Sequence, residues 1–316
     1  MDEWLLVGDR DGIVSAADLA RAGLRASQIA SLVAAHRLTP LVRGWYAISA
    51  PTTTEERHVL TTRALLRARQ GQVVASGHSG LVLLGLPTYR ADLTQVRLSR
   101  RTPGPTRQRA GHRVGRAVPV DLQLAETVVP AVAVVQHGLS SGPLSALVAA
   151  DAALHRGVTT GADLDGALDW ARYHPKSAAV KRFVALADGR RESPGETRLA
   201  HALHLMGLAA TPQARITAPG FTANVDLVLD GEDVVLEFDG QVKYSRSADQ
   251  PDPFGHRRSP QQVLWAEKQR EDRLRELGYE VVRVTWADLD DPVALAQRIR
   301  AAILRARRRR VSRLGA

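Results

Sequence analysis

The chain has 316 residues, 44% of them hydrophobic, and contains no cysteine. That length allows two or three domains, the apolar content belongs to a globular protein, and the missing cysteines exclude disulfides and thiolate metal sites. The formal charge is +10, of which +8 falls in residues 1–190 and +2 in residues 191–316, a balance that favours a polyanionic partner and sets basic charge ahead of an acid-rich C-terminal part.

The opening MDEWLLVGDRDG is acidic and unlike a signal peptide, and no apolar run nears the roughly 18 residues that a membrane span needs. The expectation is a soluble, cytoplasmic protein with no membrane partner. Residues 1–50 hold a predicted winged helix-turn-helix. Ser15 caps a short helix, Ala16 to Ala22, which Gly23 ends, and a second helix runs from Ala26 to His36 with Ile29, Leu32 and Val33 on its buried face. Arg25, Ser27, Gln28 and Ser31 are left pointing outward near its start, where such a motif reaches base edges in the major groove. The following LTPLVRGWYAIS reads as strand, turn and strand, a wing with Arg43 at its tip to meet phosphate. A helical hairpin for protein contacts, with Arg25 and Gln28 merely solvated, is the competing reading.

Residues 51–190 form a predicted mixed α/β middle domain. A linker from Pro51 to Thr54 leads to a helix from Glu55 to Arg69. His78, in GQVVASGHSGLVLLGLP, has no nucleophile or acid near it in sequence and reads as a hydrogen-bonded structural histidine. From Arg90 to Arg116 there are eight arginines and one acid, Asp92, around Pro103-Gly104-Pro105. This basic loop or hairpin either contacts a nucleic-acid backbone or is a solvated surface. Val128 to His137 is a buried apolar segment, and Pro143 to Arg156 an amphipathic helix on which Asp151 and His155 sit one turn apart, a spacing compatible with a metal but more often that of a surface pair. Helices at Ala162 to Tyr173 and Pro175 to Leu186 lead to a boundary at Gly189-Arg190-Arg191. The stretch GIVSAADLARAGLRASQIASLVAAHRLTPLVRGWYAIS is similar to the N-terminal domain of AbiEi-type antitoxins of type IV toxin-antitoxin systems, and GQVVASGHSGLVLLGLP and VAADAALHRG resemble their middle portion. That resemblance implies a DNA-binding autorepressor with a cognate toxin as partner.

Residues 191–316 open on Ser193-Pro194-Gly195-Glu196, a capping box ahead of a helix whose Leu199, Ala202, Leu203 and Met206 share an apolar face. NVDLVLDGEDVVLEFDGQVK, Asn224 to Lys243, then predicts a β-hairpin carrying acids. With a two-residue loop Asp226 lies opposite Val235 and diagonal to Glu237; with a four-residue loop it lies directly opposite Glu237. Either register puts both carboxylates on one face, with Asp239 following on it, and only a three-residue loop or a bulge breaks this. Like charges there repel, and a divalent cation such as Mg²⁺ or Mn²⁺ removes the conflict. Tyr244 to Pro260 reads as a polar loop, Pro260 to Leu277 as a helix carrying Glu267 and Lys268 as accessory site candidates, Tyr279 to Trp286 as a strand, and the last helix as ending in an arginine-rich, phosphate-binding or solvating tail. The element order is helix, three strands, helix, strand, helix.

At these residues the chain resembles the PD-(D/E)xK nuclease superfamily, in the branch similar to very-short-patch-repair (Vsr) endonucleases, from Glu192 to about Trp286. The resemblance implies a restriction-endonuclease-like core, a mixed sheet flanked by helices, in which Asp226 and Glu237 hold the metal and Glu196 is the helix glutamate. The superfamily lysine, two residues after the second acid, is Asp239 here, and Lys243 in VKY is placed to replace it. The expected function is metal-dependent endonuclease action on DNA, with catalytic residues Glu196, Asp226, Glu237, Asp239 and Lys243. The alternative is a non-catalytic AbiEi-like autorepressor with a degenerate nuclease fold, and basic charge does not distinguish DNA from RNA.

Overall fold

The computed structural model describes residues 11–240 and 260–314, a mixed α/β chain with three sheets among the described residues. It divides into two compact units, residues 1–187 and 188–316. Among the described residues no helix is long and apolar enough to cross a membrane.

The N-terminal unit begins with β1 (Ile13–Ser15), α1 (Ala16–Arg21), α2 (Ala26–Ala34), β2 (Thr39–Val42) and β3 (Trp45–Ala47), the strands forming a sheet in the order β1-β3-β2. The Ser15 Oγ accepts the Asp18 N–H at 3.1 Å and the Asp18 carboxylate accepts the Ser15 N–H at 3.1 Å, so a capping box starts α1. Val14, Leu19, Ile29 and Leu38 form the small core, with Leu32 and Val33 packed on it. Helix α2 stops at Ala34, ahead of the expected His36, because His36 sits at φ 54° and turns the chain toward β2.

After α3 (Thr54–Ala68), capped by Thr53, a second sheet runs in the order β4-β5-β7-β6, from β4 (Val73–Ala75), β5 (Val96–Arg100), β6 (Arg107–Arg109) and β7 (His112–Ala117). The β5/β7 pair is parallel and β6/β7 antiparallel. One face packs Val96, Leu98 and Val114 on Leu65 and Leu66 of α3. The largest core joins α4 (Gly77–Leu83), α5 (Pro130–Ser141), α6 (Pro143–His155), α7 (Gly161–Trp170) and α8 (Ser177–Val184). Helix α6 departs from the amphipathic expectation. Its residues Ser145 to Asp151 are all buried, because α5 and α8 cover it, and a Cβ added to Gly138 of α5 would overlap Ala146. Asp151 is therefore 1% exposed while His155 is exposed, so the two do not both lie on the surface.

The C-terminal unit is built from α9 (Pro194–Leu205), β8 (Ala210–Ala218), β9 (Phe221–Leu229), β10 (Val234–Phe238), α10 (Pro260–Glu276), β11 (Glu280–Val284), α11 (Trp286–Asp290) and α12 (Pro292–Leu314). Among the described residues its order is the expected one with the short α11 inserted. The sheet runs β11-β10-β9-β8, with β8, β9 and β10 antiparallel and β10/β11 parallel. One face buries Leu227, Leu229, Leu236 and Phe238 against Leu199 and Leu203 of α9 and Ile299 of α12. On the other, Val235 packs on Leu274 of α10. Three of the arginines near the end of α12 are tied into the fold. Arg305 and Arg309, one helical turn apart, both pair with Glu280, and Arg307 pairs with Glu232.

Candidate active site

Strand register decides which side chains meet. Leu229 and Val234 flank a four-residue turn, Asp230 to Asp233, and Leu227 pairs with Leu236, so one further step sets Asp226 opposite Glu237. On the other side Pro212 pairs with Leu227 and Ala214 with Val225, which places Gln213 opposite Asp226. Glu237 pairs with Arg283 on β11. Gln213, Asp226, Glu237 and Arg283 thus form one row across all four strands, in a sheet whose other rows are largely apolar.

The β9/β10 ladder gives way at this row. The Asp226 Oδ2 accepts the Phe238 N–H at 2.8 Å, and the Arg270 guanidinium, from α10, donates to the Asn224 carbonyl at 3.4 Å. Backbone groups that the ladder no longer pairs are satisfied by side chains, which fixes both in place. Arg270 also donates to Glu237 Oε1 at 2.5 Å and to Glu267 Oε1 at 2.7 Å. Arg283 donates to Glu267 at 3.0 Å and pairs with Glu271 at 2.9 Å. Burial pushes Glu237 above the ordinary glutamate range, against the pull of Arg270.

Glu196 enters from α9. Ser193 caps the helix by accepting the Glu196 N–H at 3.2 Å, while the Glu196 carboxylate accepts from the Ser193 hydroxyl at 2.7 Å and from the N–H of Glu192 at 3.0 Å. The reach back goes one residue further than the expected capping box, to Glu192 in place of Ser193. Gln213 donates to the same carboxylate at 3.1 Å and so ties Glu196 to the strand row. Gln213 lies at φ 49°, a strained conformation for a residue with a side chain. Burial raises Glu196 above the ordinary glutamate range, and the nearby Asp226 charge adds to this against its hydrogen bonds. Gly195 lets α9 approach so closely, since a Cβ there would overlap the Phe238 ring. That ring stacks edge-on against Trp286 with centroids 4.8 Å apart.

The structure therefore brings together Glu196, Asp226, Glu237 and Glu267. Asp239 follows the end of β10, where its N–H donates to the Val284 carbonyl at 2.8 Å. Lys268 is exposed on α10. Lys243 and the polar loop expected from Tyr244 onward lie outside the described residues, except for Pro260, which opens α10. Among the described residues no group of three or more His, Asp or Glu is arranged to hold a metal. Gln213, Arg270 and Arg283 were not expected from the sequence. The only local signal was the alternation of acid and base around Glu267, in which Arg270 stands one turn on.

In the N-terminal unit, Arg25, Ser27, Gln28, Ser31 and Arg43 are all exposed. The Gln28 side-chain oxygen accepts the Arg25 N–H at 2.7 Å, which starts α2 and fixes the Gln28 amide near the helix N-terminus. His78 donates to the Gln95 carbonyl at 2.7 Å and burial pushes it down to about 4, so it is neutral at neutral pH. It lies between His58 and His137, with ring centroids at 5.4 and 6.1 Å. Comparison with family models, curated proteins and solved structures gives no match to this chain.

Proposed function

We propose that this is a DNA-directed protein whose C-terminal unit cleaves phosphodiester bonds with the help of a divalent cation, in the manner of a PD-(D/E)xK, Vsr-like nuclease with a restriction-endonuclease-like core. The observation that carries the reading is the opposition of Asp226 and Glu237 where the β9/β10 ladder gives way. A chain selected only to fold has little reason to set two carboxylates across a strand pair. Their oxygens suit Mg²⁺ or Mn²⁺, which take one or two carboxylates together with waters and phosphate oxygens. When bound, such an ion activates water and stabilises charge on the scissile phosphate.

The chain's own residues would do the rest. The Phe238 N–H orients Asp226, and Arg270 holds Glu237 while bringing positive charge to the row. Glu196, with its raised proton affinity, is suited to take a proton from water. Asp239 would position a ligand or water, and Lys243, on the strength of the family resemblance alone, would contact the phosphate. Residues β1 to β3 would act as a winged helix-turn-helix, with Arg25, Ser27, Gln28 and Ser31 at base edges and Arg43 at phosphate.

A second reading is a non-catalytic autorepressor, similar to AbiEi-type antitoxins and partnered by a toxin. It is favoured by Arg270 and Arg283, which already neutralise Glu237, Glu267 and Glu271, and by Asp239 standing where the superfamily lysine belongs. Incubating the full chain with plasmid, linear and single-stranded DNA and with RNA, plus Mg²⁺ or Mn²⁺, separates the two. Nuclease action predicts metal-dependent cleavage that falls at least about 100-fold in Asp226→Ala and Glu237→Ala. No cleavage by a folded wild type that still binds DNA would favour the repressor.

A further inference from the structure

The arginines between Arg90 and Arg116 are not used by the reading above, and eight of them fall within 27 residues beside a single acid, Asp92. Arg100 and Arg101 hold loops, donating to the Pro105 carbonyl at 2.9 Å and to Gln123 and Leu124 at 3.0 and 2.9 Å. Arg107, Arg109, Arg113 and Arg116 are exposed on β6 and β7, and none of the eight arginines forms an ion pair with a described residue.

Register puts these charges on both faces of the sheet edge. Arg107 pairs with Val114 and Arg109 with His112, so both project on the face of Val114, yet they stay exposed because β6 lies beyond the apolar cover of α3. Gln108 pairs with Arg113 and Arg113 with Arg97, so Arg113 projects on the opposite face beside a second arginine. Arg97 is half-buried, and its Nε is buried with no hydrogen-bond partner. Behind the hairpin tip, where Gly111 at φ 77° makes the turn, Arg69 stands 3.3 Å from His112. Like charges on neighbouring strands oppose folding. An arrangement that keeps them on both sides of one edge, with no ion pair to a described acid, is suited to an anion supplied from outside on two sides.

We propose that the β6–β7 edge is a second nucleic-acid surface, which grips the phosphate backbones of duplex DNA on either side of a groove without reading sequence. Two strands about 4.8 Å apart enter a major groove about 12 Å wide, and arginines on opposite faces then meet the phosphates of opposite walls. The proposal rests on the chain being DNA-directed but uses none of the carboxylate row.

The test is the salt dependence of binding of the full chain to a short random-sequence duplex. Each phosphate contact contributes about 0.9 to the slope of log affinity against log salt. Replacing Arg107, Arg109, Arg113 and Arg116 together by Gln should flatten that slope by about 3, with the thermal midpoint at or above that of the wild type, while the matching Lys variant keeps the slope. A Gln variant with wild-type slope and affinity overturns the proposal, as does one weakened on single strands and not on duplex. The double variant Arg25→Ala, Gln28→Ala changes discrimination between sequences and the slope by about 1 at most, so its result judges the winged helix and not this edge. A wild type with no salt-dependent DNA binding overturns both.

Discussion

The strand row of the C-terminal unit and the β6–β7 edge of the N-terminal unit are two concentrations of like charge, resolved in opposite ways. Asp226 and Glu237 face each other across a strand pair, and α10 and β11 send Arg270 and Arg283 to the row and the acids around it. Arg97 and Arg113 also face each other across a strand pair, and no described acid comes to them as an ion pair, Asp92 acting on Arg97 only at longer range. One cluster is balanced within the fold; the other is left for a partner. The net charge follows the same division, +8 in residues 1–190 and +2 in residues 191–316.

The largest disturbance of the balanced side should come from Gly195→Ala. Its Cβ would overlap Phe238, itself wedged against Trp286, so α9 must move off the sheet and carry Glu196 with it. Overpacking of this kind usually costs 1–3 kcal/mol, and the rigid ring puts the expected loss near the top, about 3 kcal/mol by denaturant unfolding. A wild-type midpoint would mean that α9 has room the structure does not show.

Next in size is Arg270→Ala. Glu237 would remain with its side chain 12% exposed and its nearest cation gone, and a buried carboxylate left unpaired is strongly destabilising. Because Arg270 is itself partly exposed, about 2 kcal/mol at neutral pH is expected. The pH dependence fixes the cause. Burial already raises Glu237 and Glu196 in the folded chain, so the folded state holds protons more tightly than the unfolded one. The stability this contributes is full below the ordinary glutamate value and is lost as pH rises through the folded values. Removing Arg270 raises Glu237 further, so the penalty should grow with pH across that window and vanish in acid. A penalty that does not change with pH would assign the loss to packing instead.

The acid pair was legible from sequence because strand alternation and a turn signal are local. Val225, Leu227 and Leu229 alternate with polar residues and Asp230-Gly231 marks the turn, so only the loop length stayed open, and the four-residue turn settles it. What answers the acids was not legible. Arg270 comes from a helix 33 residues after Glu237, and Gln213 matters because of a strained φ and a register that no local pattern encodes. The same holds for α6, whose alanines suit a buried helix and an amphipathic one alike until α5 and α8 are placed around it. The arginines near the chain's end read as a tail because their partners lie earlier in the chain, Glu232 in the β9–β10 turn and Glu280 at the start of β11.

The smallest effect is the sharpest test of the contrast, because its sign is opposite. Arg113→Ala removes a cation from beside Arg97, whose own charge is disfavoured first by burial and then by Arg113. Cross-strand like charges are destabilising by a few tenths of a kcal/mol where one partner is solvated, so the variant should be more stable than wild type by about 0.3 kcal/mol at low salt. Salt screens the exposed partner, and the gain should shrink as ionic strength rises. Loss of an arginine would then weaken the C-terminal unit and strengthen the N-terminal one. If Arg113→Ala instead destabilises by 1 kcal/mol or more, its guanidinium is held by the fold after all, and the β6–β7 edge loses its claim to be unsatisfied.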